Sequence, residues 1–210
     1  MHMQLAMKIM NKTKLKRLII AKNTTAYKLL ETEIAIMKKM NHRNIVKLHE
    51  VIDDPQYNKA YIIMEYVPGG SLHSLIRDGK GLEEEKCRKY FRDVIRGLEY
   101  CHDVVGIIHR DMKPENLLLG KDDVVKIADF GVSFMMNEGS DESKTTLGST
   151  FYLAPEICKG KVYKGRKTDI WAAGVTLYRL YTGKFPFEGT SIPAIYESIK
   201  NKEYTYFKQQ

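Results

Sequence analysis

The sequence predicts an α+β fold of two unequal parts, a small lobe built on an antiparallel sheet and a larger, mainly helical lobe. Short strand-like apolar runs lie within the first 65 residues, whereas later apolar side chains recur every three or four positions, as in amphipathic helices. Pro68-Gly69-Gly70 separates these two patterns. With 210 residues, the chain is long enough to bury a core.

The small lobe begins with a predicted strand over residues 4–10, an apolar run that is interrupted only by Lys8. The elements that follow are a basic stretch without Gly or Pro (11–28), a helix (33–40), and two strands (around 45–52 and 61–65) joined by a turn (53–55).

The larger lobe begins with a long amphipathic helix, in which apolar side chains recur at helical spacing from Cys87 to Cys101. Loops and short strands are predicted over residues 104–165. A second helix is predicted over residues 169–181, with Thr168 as its N-cap and Gly183 at its end. Because this helix is apolar on nearly every face, we expect it to lie inside the lobe.

The charge of the chain allows two interpretations. The formal net charge is +8, and much of the excess lies in residues 1–30, which contain no acidic side chain. Such a segment could bind an acidic partner or nucleic acid, or it could be a solvated basic insertion. Aromatic side chains do not alternate with the basic ones, as stacking on bases would require, so we favour the insertion and expect no nucleic-acid partner.

The cysteines and the hydropathy pattern bear on location. Cys87, Cys101 and Cys158 are odd in number and widely spaced, which fits neither a disulfide framework nor a zinc site. We therefore expect reduced thiols and a cytoplasmic protein, with the nucleus as the alternative. No apolar run approaches the roughly 20 residues that span a bilayer, and we expect no membrane partner.

Two polar motifs in the larger lobe predict phosphoryl-transfer chemistry. In the string from His109 to Asn116, Asp111 precedes an amide by five residues, which suits a loop where Asp accepts a hydroxyl proton and Asn binds a metal ion. Asp129-Phe130-Gly131 follows a strand-like run, so Asp129 could bind magnesium, while Gly131 would permit a sharp turn. The alternative, that each Asp is a turn residue or helix cap, is disfavoured because both motifs occur in order.

Lys8 is an isolated charge within an apolar strand and needs a partner. Glu33 on the following helix is the predicted one, and the ion pair would orient Lys8 toward the α- and β-phosphates of a nucleotide. The alternative is an edge-strand lysine that blocks aggregation.

Together with Ala154-Pro155-Glu156, these motifs resemble the eukaryotic protein kinase family over nearly the whole chain. The resemblance implies a bilobal kinase-like fold, ATP and Mg²⁺ as cofactors, and protein substrates. The run from Asp111 through Lys113 to Asn116 is similar to the serine/threonine branch, in which the Lys also contacts the transferred phosphate. The alternative function is a truncated, catalytically weak module that binds partners.

The resemblance also implies roles for individual residues. The implied catalytic residues are Asp111, Lys113, Lys8, Glu33 and Ser149, where Ser149 bridges Asp111 and Lys113. The implied nucleotide-binding residues are Lys8, Ala6, Met64, Glu65, Val67, Leu118, Asn116 and Asp129, with Asn116 and Asp129 as the metal ligands. The implied regulatory spine consists of Met37, Leu48, His109 and Phe130. Each of these side chains could also simply pack in the core, and the two interpretations are compatible.

The resemblance further implies a partial kinase domain over residues 1–210, divided into a partial N-lobe (1–65, with the basic insertion 11–28), a hinge and linker (66–70) and a partial C-lobe (71–210). In the family, a glycine-rich loop precedes the strand that carries Lys8, and a late arginine holds Glu156. Neither is found in this sequence, so we expect a domain truncated at both ends.

Within the family, the chain resembles the calcium/calmodulin-dependent protein kinase kinases most, in the strings over residues 33–40, 46–55 and 127–133. This implies other kinases as substrates. Calmodulin is a further candidate partner, although nothing in this span supports it, and residues 11–28 lack the Pro and Gly of that subfamily's insertion. Thr145 lies where related kinases are phosphorylated, and a phosphate there could pair with Arg110. The alternative is an exposed Thr without a regulatory role.

Overall fold

The computed structural model describes residues 4–21, 24–136 and 140–201, so residues 202–210 of the predicted larger lobe lie outside the described residues. The helices are α1 (Lys12–Arg17), α2 (Ala26–Met37), α3 (Glu84–Glu99), α4 (Pro155–Cys158), α5 (Gly165–Thr182) and α6 (Ile192–Asn201). The strands are β1 (Leu5–Asn11), β2 (Ile19–Ala21), β3 (Thr24–Thr25), β4 (Leu48–Ile52), β5 (Lys59–Glu65), β6 (Ile107–Ile108), β7 (Leu117–Leu119), β8 (Val125–Ile127), β9 (Phe134–Met135), β10 (Glu142–Ser143) and β11 (Tyr163–Lys164).

The small part of the molecule is built on an antiparallel sheet with the strand order β1-β5-β4. Strand β1 pairs with β5 from Leu5 opposite Glu65 to Asn11 opposite Lys59. Because side chains alternate along a strand, Ala6 and Lys8 share one face of β1, whereas its other face is exposed to solvent. The sheet followed by a helical part confirms the predicted α+β fold.

The structure adds detail to one prediction for the small part and corrects another. The basic stretch over residues 11–28 contains helix α1, the β2-β3 hairpin and the start of α2, with residues 22 and 23 outside the described residues. The helix predicted over residues 33–40 begins at Ala26 and ends at Met37. It begins earlier because Thr25 caps it, with its Oγ1 accepting a hydrogen bond from the Lys28 amide at 3.3 Å.

The larger part has a core formed mainly by α3 and α5. Helix α3 places Tyr90, Val94 and Leu98 in this core at helical spacing, as predicted. The hairpin of β7 and β8 packs beside α3 and leads to the loop around Asp129.

Helix α5 differs from its prediction at its start and in its burial. It begins at Gly165, so Thr168 is not its cap; the buried Thr168 Oγ1 instead donates to the Gly165 carbonyl at 2.8 Å. The helix is not buried on every face, since Ile170 is 51% exposed and Tyr181 is 39% exposed. It ends where predicted, at Gly183, whose φ of 74° is left-handed.

The three cysteines are free thiols. Burial raises the pKa of Cys87 to about 11 and that of Cys101 to about 12, so both stay protonated at neutral pH. Among the described helices, none has the length and apolarity needed to cross a membrane.

Candidate active site

A buried carboxylate on α5 fixes the loop that carries Asp111. Asp169 is fully buried and accepts hydrogen bonds from the backbone amides of His109 and Arg110, both at 2.8 Å. His102 Nε2 lies 2.8 Å from the same carboxylate. Arg110 has a left-handed backbone, with φ of 66°, which these contacts hold in place. Sequence reasoning missed Asp169; the available signal was an acidic residue in an otherwise apolar helix.

The Asp111 carboxylate is held by side chains from two segments of the chain. Its Oδ2 accepts from Lys113 Nζ at 2.6 Å and from Asn116 Nδ2 at 3.0 Å. Its Oδ1 accepts from the Ser149 amide at 3.0 Å and from Ser149 Oγ at 2.8 Å. Lys113 Nζ also donates to Ser149 Oγ at 2.8 Å, so the bridge that the resemblance implied is present in the structure.

These contacts determine the charge of Asp111. Burial alone would raise the pKa of Asp111, but the hydrogen bonds from Lys113 and Ser149 and the charge of Lys113 outweigh burial and hold this pKa below its usual range. The carboxylate is therefore ionised at neutral pH and can accept a proton or a hydrogen bond from a hydroxyl group.

Asn116 and Asp129 offer oxygen atoms suited to a hard cation. The Asn116 amide nitrogen donates to the Asp111 carbonyl at 2.9 Å, and no described residue donates to its Oδ1. Asp129 is exposed just beyond β8. Within the described ranges, no group of three or more His, Cys, Asp or Glu could hold a metal. Magnesium nevertheless fits this pair, because it is commonly bound by one or two protein oxygens together with water and phosphate.

The left-handed turn predicted at Gly131 lies two residues earlier, at Asp129. Asp129 itself is left-handed, with φ of 62°, whereas Gly131 is not among the residues with positive φ. The space around Gly131 is narrow, since a Cβ there would lie 3.2 Å from Asp129 Oδ1 and 3.6 Å from Glu33 Oε2. This close approach brings α2 and the Asp129 loop together.

The predicted ion pair between Lys8 and Glu33 is present. Lys8 Nζ lies 3.0 Å and 3.3 Å from the two carboxylate oxygens of Glu33, which is buried. Lys8 does lie on an edge of the described sheet, as the alternative interpretation required. However, its side chain is engaged by Glu33, which favours the interpretation as an oriented cation.

The residues expected around a nucleotide lie on neighbouring elements. Ala6 pairs with Met64 in the sheet, and the adjacent Glu65 joins Lys126 through an ion pair of 3.1 Å. Val67 is buried at the start of the linker. Leu118 on β7 forms a backbone bridge with Ser71, which fastens the linker to the larger part. Their contacts with a nucleotide remain a prediction.

The residues of the implied spine lie in one core. Met37 and Phe130 are buried in it, and Leu48 packs against it. The ring of His109 meets Phe130 edge to face, with centroids 4.9 Å apart. Core packing is thus observed, and a regulatory role remains a prediction.

No contact among the described residues joins Thr145 to Arg110. Arg110 Nε donates to the Val132 carbonyl at 2.5 Å, and its guanidinium lies over the ring of Phe134. The exposed Thr145 is held through its carbonyl, which accepts from the Tyr163 hydroxyl at 2.7 Å. Pairing of Arg110 with a phosphate on Thr145 therefore remains a prediction.

Comparison with known proteins relates this site to one family. The sequence model of the protein kinase domain matches residues 2–210. A "probable serine/threonine-protein kinase" of Dictyostelium discoideum is 45% identical over 210 residues, which cover 98% of this chain and 29% of that protein. CBL-interacting serine/threonine-protein kinase 24 of Arabidopsis thaliana is 42% identical over 176 residues, or 84% of this chain and 39% of that protein.

An SNF1-related protein kinase catalytic subunit alpha of Arabidopsis thaliana is 41% identical over 202 residues, which cover 96% of this chain and 39% of that protein. The chain thus spans between 29% and 39% of the length of these three relatives.

Proposed function

Because the chain belongs to the protein kinase family, we propose that the protein transfers the γ-phosphate of ATP to Ser and Thr hydroxyl groups of protein substrates. The observation that carries this proposal is the ionised Asp111 carboxylate, held by hydrogen bonds from Lys113, Asn116 and Ser149. This arrangement places a proton acceptor beside a cation in a loop that cannot easily shift.

Each side chain has a definable task in the reaction. The substrate hydroxyl oxygen forms a bond to the γ-phosphorus while the bond to the β,γ-bridging oxygen breaks, ADP leaves, and Asp111 receives the hydroxyl proton. Lys113 stabilises negative charge on the transferred phosphoryl group, and Lys8, oriented by Glu33, stabilises the α- and β-phosphates. Magnesium bound by Asn116 Oδ1 and Asp129 would neutralise phosphate charge.

Transfer of radiolabelled γ-phosphate to a generic acceptor protein, followed by phosphoamino-acid analysis, tests this function. We expect magnesium-dependent labelling of Ser and Thr. Labelling confined to Tyr, or no labelling with or without magnesium, would contradict the proposal. A thermal shift with ATP and magnesium tests binding separately, and an unchanged melting temperature would show that the chain does not bind the nucleotide.

For substrates, we propose other protein kinases, as in the calcium/calmodulin-dependent protein kinase kinases. The support is the similarity of residues 33–40, 46–55 and 127–133 to that subfamily. The three relatives described above carry the names of other serine/threonine kinases, so their names do not address this point. Labelling of an inactive kinase domain, compared with its activation-segment Thr→Ala variant, tests the proposal; equal labelling of both would count against it.

For location, we propose the cytoplasm, with the nucleus as the alternative. The support is the three free thiols, two of them fully buried and protonated at neutral pH. Fluorescence microscopy of the tagged protein tests this proposal, and accumulation in a secretory compartment would contradict it.

A further inference from the structure

A polar cluster away from the active site joins three elements of the small part of the molecule. Lys12 follows β1 directly and is only 6% exposed. Its Nζ donates to Asp53 Oδ1 at 2.8 Å and to the Asp54 carbonyl at 2.7 Å, both in the turn between β4 and β5. The other carboxylate oxygen of Asp53 accepts from the hydroxyl of Tyr27, in the first turn of α2, at 3.3 Å.

The turn between β4 and β5 is also fastened to the start of α1 by Asn58. The Lys12 amide donates to the Asn58 carbonyl at 2.9 Å. The amide and the hydroxyl of Thr13 donate to Asn58 Oδ1 at 2.8 and 2.6 Å. These contacts fasten the turn to the end of β1 and the start of α1, and the hydrogen bond from Tyr27 to Asp53 attaches α2 to the same turn.

The two ends of this cluster lie on the elements that form the active-site ion pair. Lys8 lies on β1, and Lys12 is the first residue after that strand. Tyr27 lies on the same helix as Glu33. We propose that Lys12, Asp53 and Tyr27 are positioning residues, which set α2 relative to β1 and so hold Glu33 against Lys8. The proposal rests on the kinase activity proposed above.

The distribution of buried contacts along α2 explains why such a link is needed. From Leu30 onward the helix buries apolar side chains, with Ile36 and Met37 in the main core, whereas none of the residues of its first turn is fully buried. Its first turn has the Thr25 cap, the Tyr27–Asp53 hydrogen bond and the Lys16 ammonium, which lies 4.9 Å from the centre of the Tyr27 ring. A helix fixed at one end can pivot at the other, and a shift of about 1 Å in a group that orients phosphates can cost up to about 100-fold in rate.

Steady-state kinetics of Lys12→Met test the proposal. We expect kcat/KM for ATP to fall about 10-fold, with the KM for the acceptor unchanged, because the loss acts on the Lys8–Glu33 pair. Lys12→Arg, which keeps the charge, should recover much of the loss. The matched control is Lys14→Met, which removes an exposed lysine of the same helix that has no ion pair among the described residues.

A double-mutant cycle separates positioning from a merely structural role. In a Glu33→Gln background, Lys12→Met should cause no further loss of kcat/KM, because the ion pair that it supports is already gone. Equal losses in both backgrounds would overturn the proposal. If Lys12→Met does not fold, Asp53→Asn and Tyr27→Phe replace it, and wild-type values for both would also overturn the proposal.

Hydrogen exchange tests the link without turnover. Amides of α2 (Ala26–Met37) should exchange faster in Lys12→Met than in Lys14→Met or the wild type. Equal exchange in all three would overturn the positioning role. If exchange changes as expected but the wild type transfers no phosphate, the proposed function fails and the structural link stands.

Discussion

At the scale of single residues, the active-site loop is held by two carboxylates with different roles. Asp111 is half-buried and paired with Lys113, so it remains ionised and open to a substrate. Asp169 is fully buried, and it orders the backbone of His109 and Arg110. The first carboxylate is the proposed proton acceptor, and the second fixes the position of the loop that carries it.

Ser149→Ala should weaken the active site without unfolding it. The substitution removes one hydrogen bond to Asp111, so we expect the pKa of Asp111 to rise and the acid limb of the kcat/KM profile to move to higher pH. Ser74→Ala, in the turn after the linker, is the control, and identical pH profiles would contradict this account.

The lowered pKa of Asp111 also makes the stability of the fold depend on pH. Because the pKa of folded Asp111 lies below its unfolded value, ionisation of Asp111 stabilises the fold above the unfolded pKa, and this contribution is lost as the pH falls through the folded pKa. The difference in unfolding free energy between the wild type and Ser149→Ala should therefore shrink as the pH falls.

Asp169→Asn should destabilise the whole chain. The buried carboxylate serves two backbone amides and His102, and an amide has only one oxygen to accept with. We expect a loss of about 3 kcal/mol or more in the free energy of unfolding, measured with urea. Asp122→Asn, at an exposed site with φ of 58°, should change stability little. Similar unfolding midpoints for the two variants would show that Asp169 is not a structural anchor.

At the scale of elements, the sequence pattern predicted helix identity better than helix ends. The apolar repeat of α3 predicted that helix because its core face is continuous along the chain. The start of α5 could not be predicted in this way. The amides of Gly165 and Arg166 donate to the carbonyl and carboxylate of Asp141, at 2.8 and 3.1 Å, and this partner is distant in sequence.

Among the candidate site residues, too, some could be predicted from the sequence and one could not. Lys8, Asp111 and Asn116 were predicted because their spacing follows the chemistry of phosphoryl transfer. Asp169 was missed, because two of its partners are backbone amides of a distant loop, and any residue except proline supplies such a donor.

The end of α5 offers a test at this scale. Gly183 and Gly160 both have positive φ, 74° and 64°, so an alanine at either site has a backbone cost of about 1–2 kcal/mol. At Gly183, the new Cβ would also lie 2.3 Å from the Gly79 carbonyl oxygen, whereas at Gly160 it would meet nothing within 4 Å. We expect Gly183→Ala to lose about 1–3 kcal/mol more than Gly160→Ala in urea unfolding. Equal losses would contradict the observed packing.

At the scale of the whole molecule, the catalytic groups come from both parts of the fold. The sheet and α2 supply Lys8 and Glu33. The loop that is held by Asp169 of α5 supplies Asp111. Gly131, in the loop proposed to bind magnesium, lies close to Glu33 on α2, since a Cβ there would be 3.6 Å from Glu33 Oε2. We therefore propose that the two parts act together in phosphoryl transfer, with Asp111 as the proton acceptor.

The most direct measurement is the initial rate of phosphate transfer from ATP and magnesium to a generic acceptor, for the wild type, Asp111→Asn and Asp122→Asn. Loss of a positioned proton acceptor typically costs about 100- to 10,000-fold. We expect a loss in this range for Asp111→Asn and a wild-type rate for Asp122→Asn. Equal rates for the wild type and Asp111→Asn would contradict this expectation.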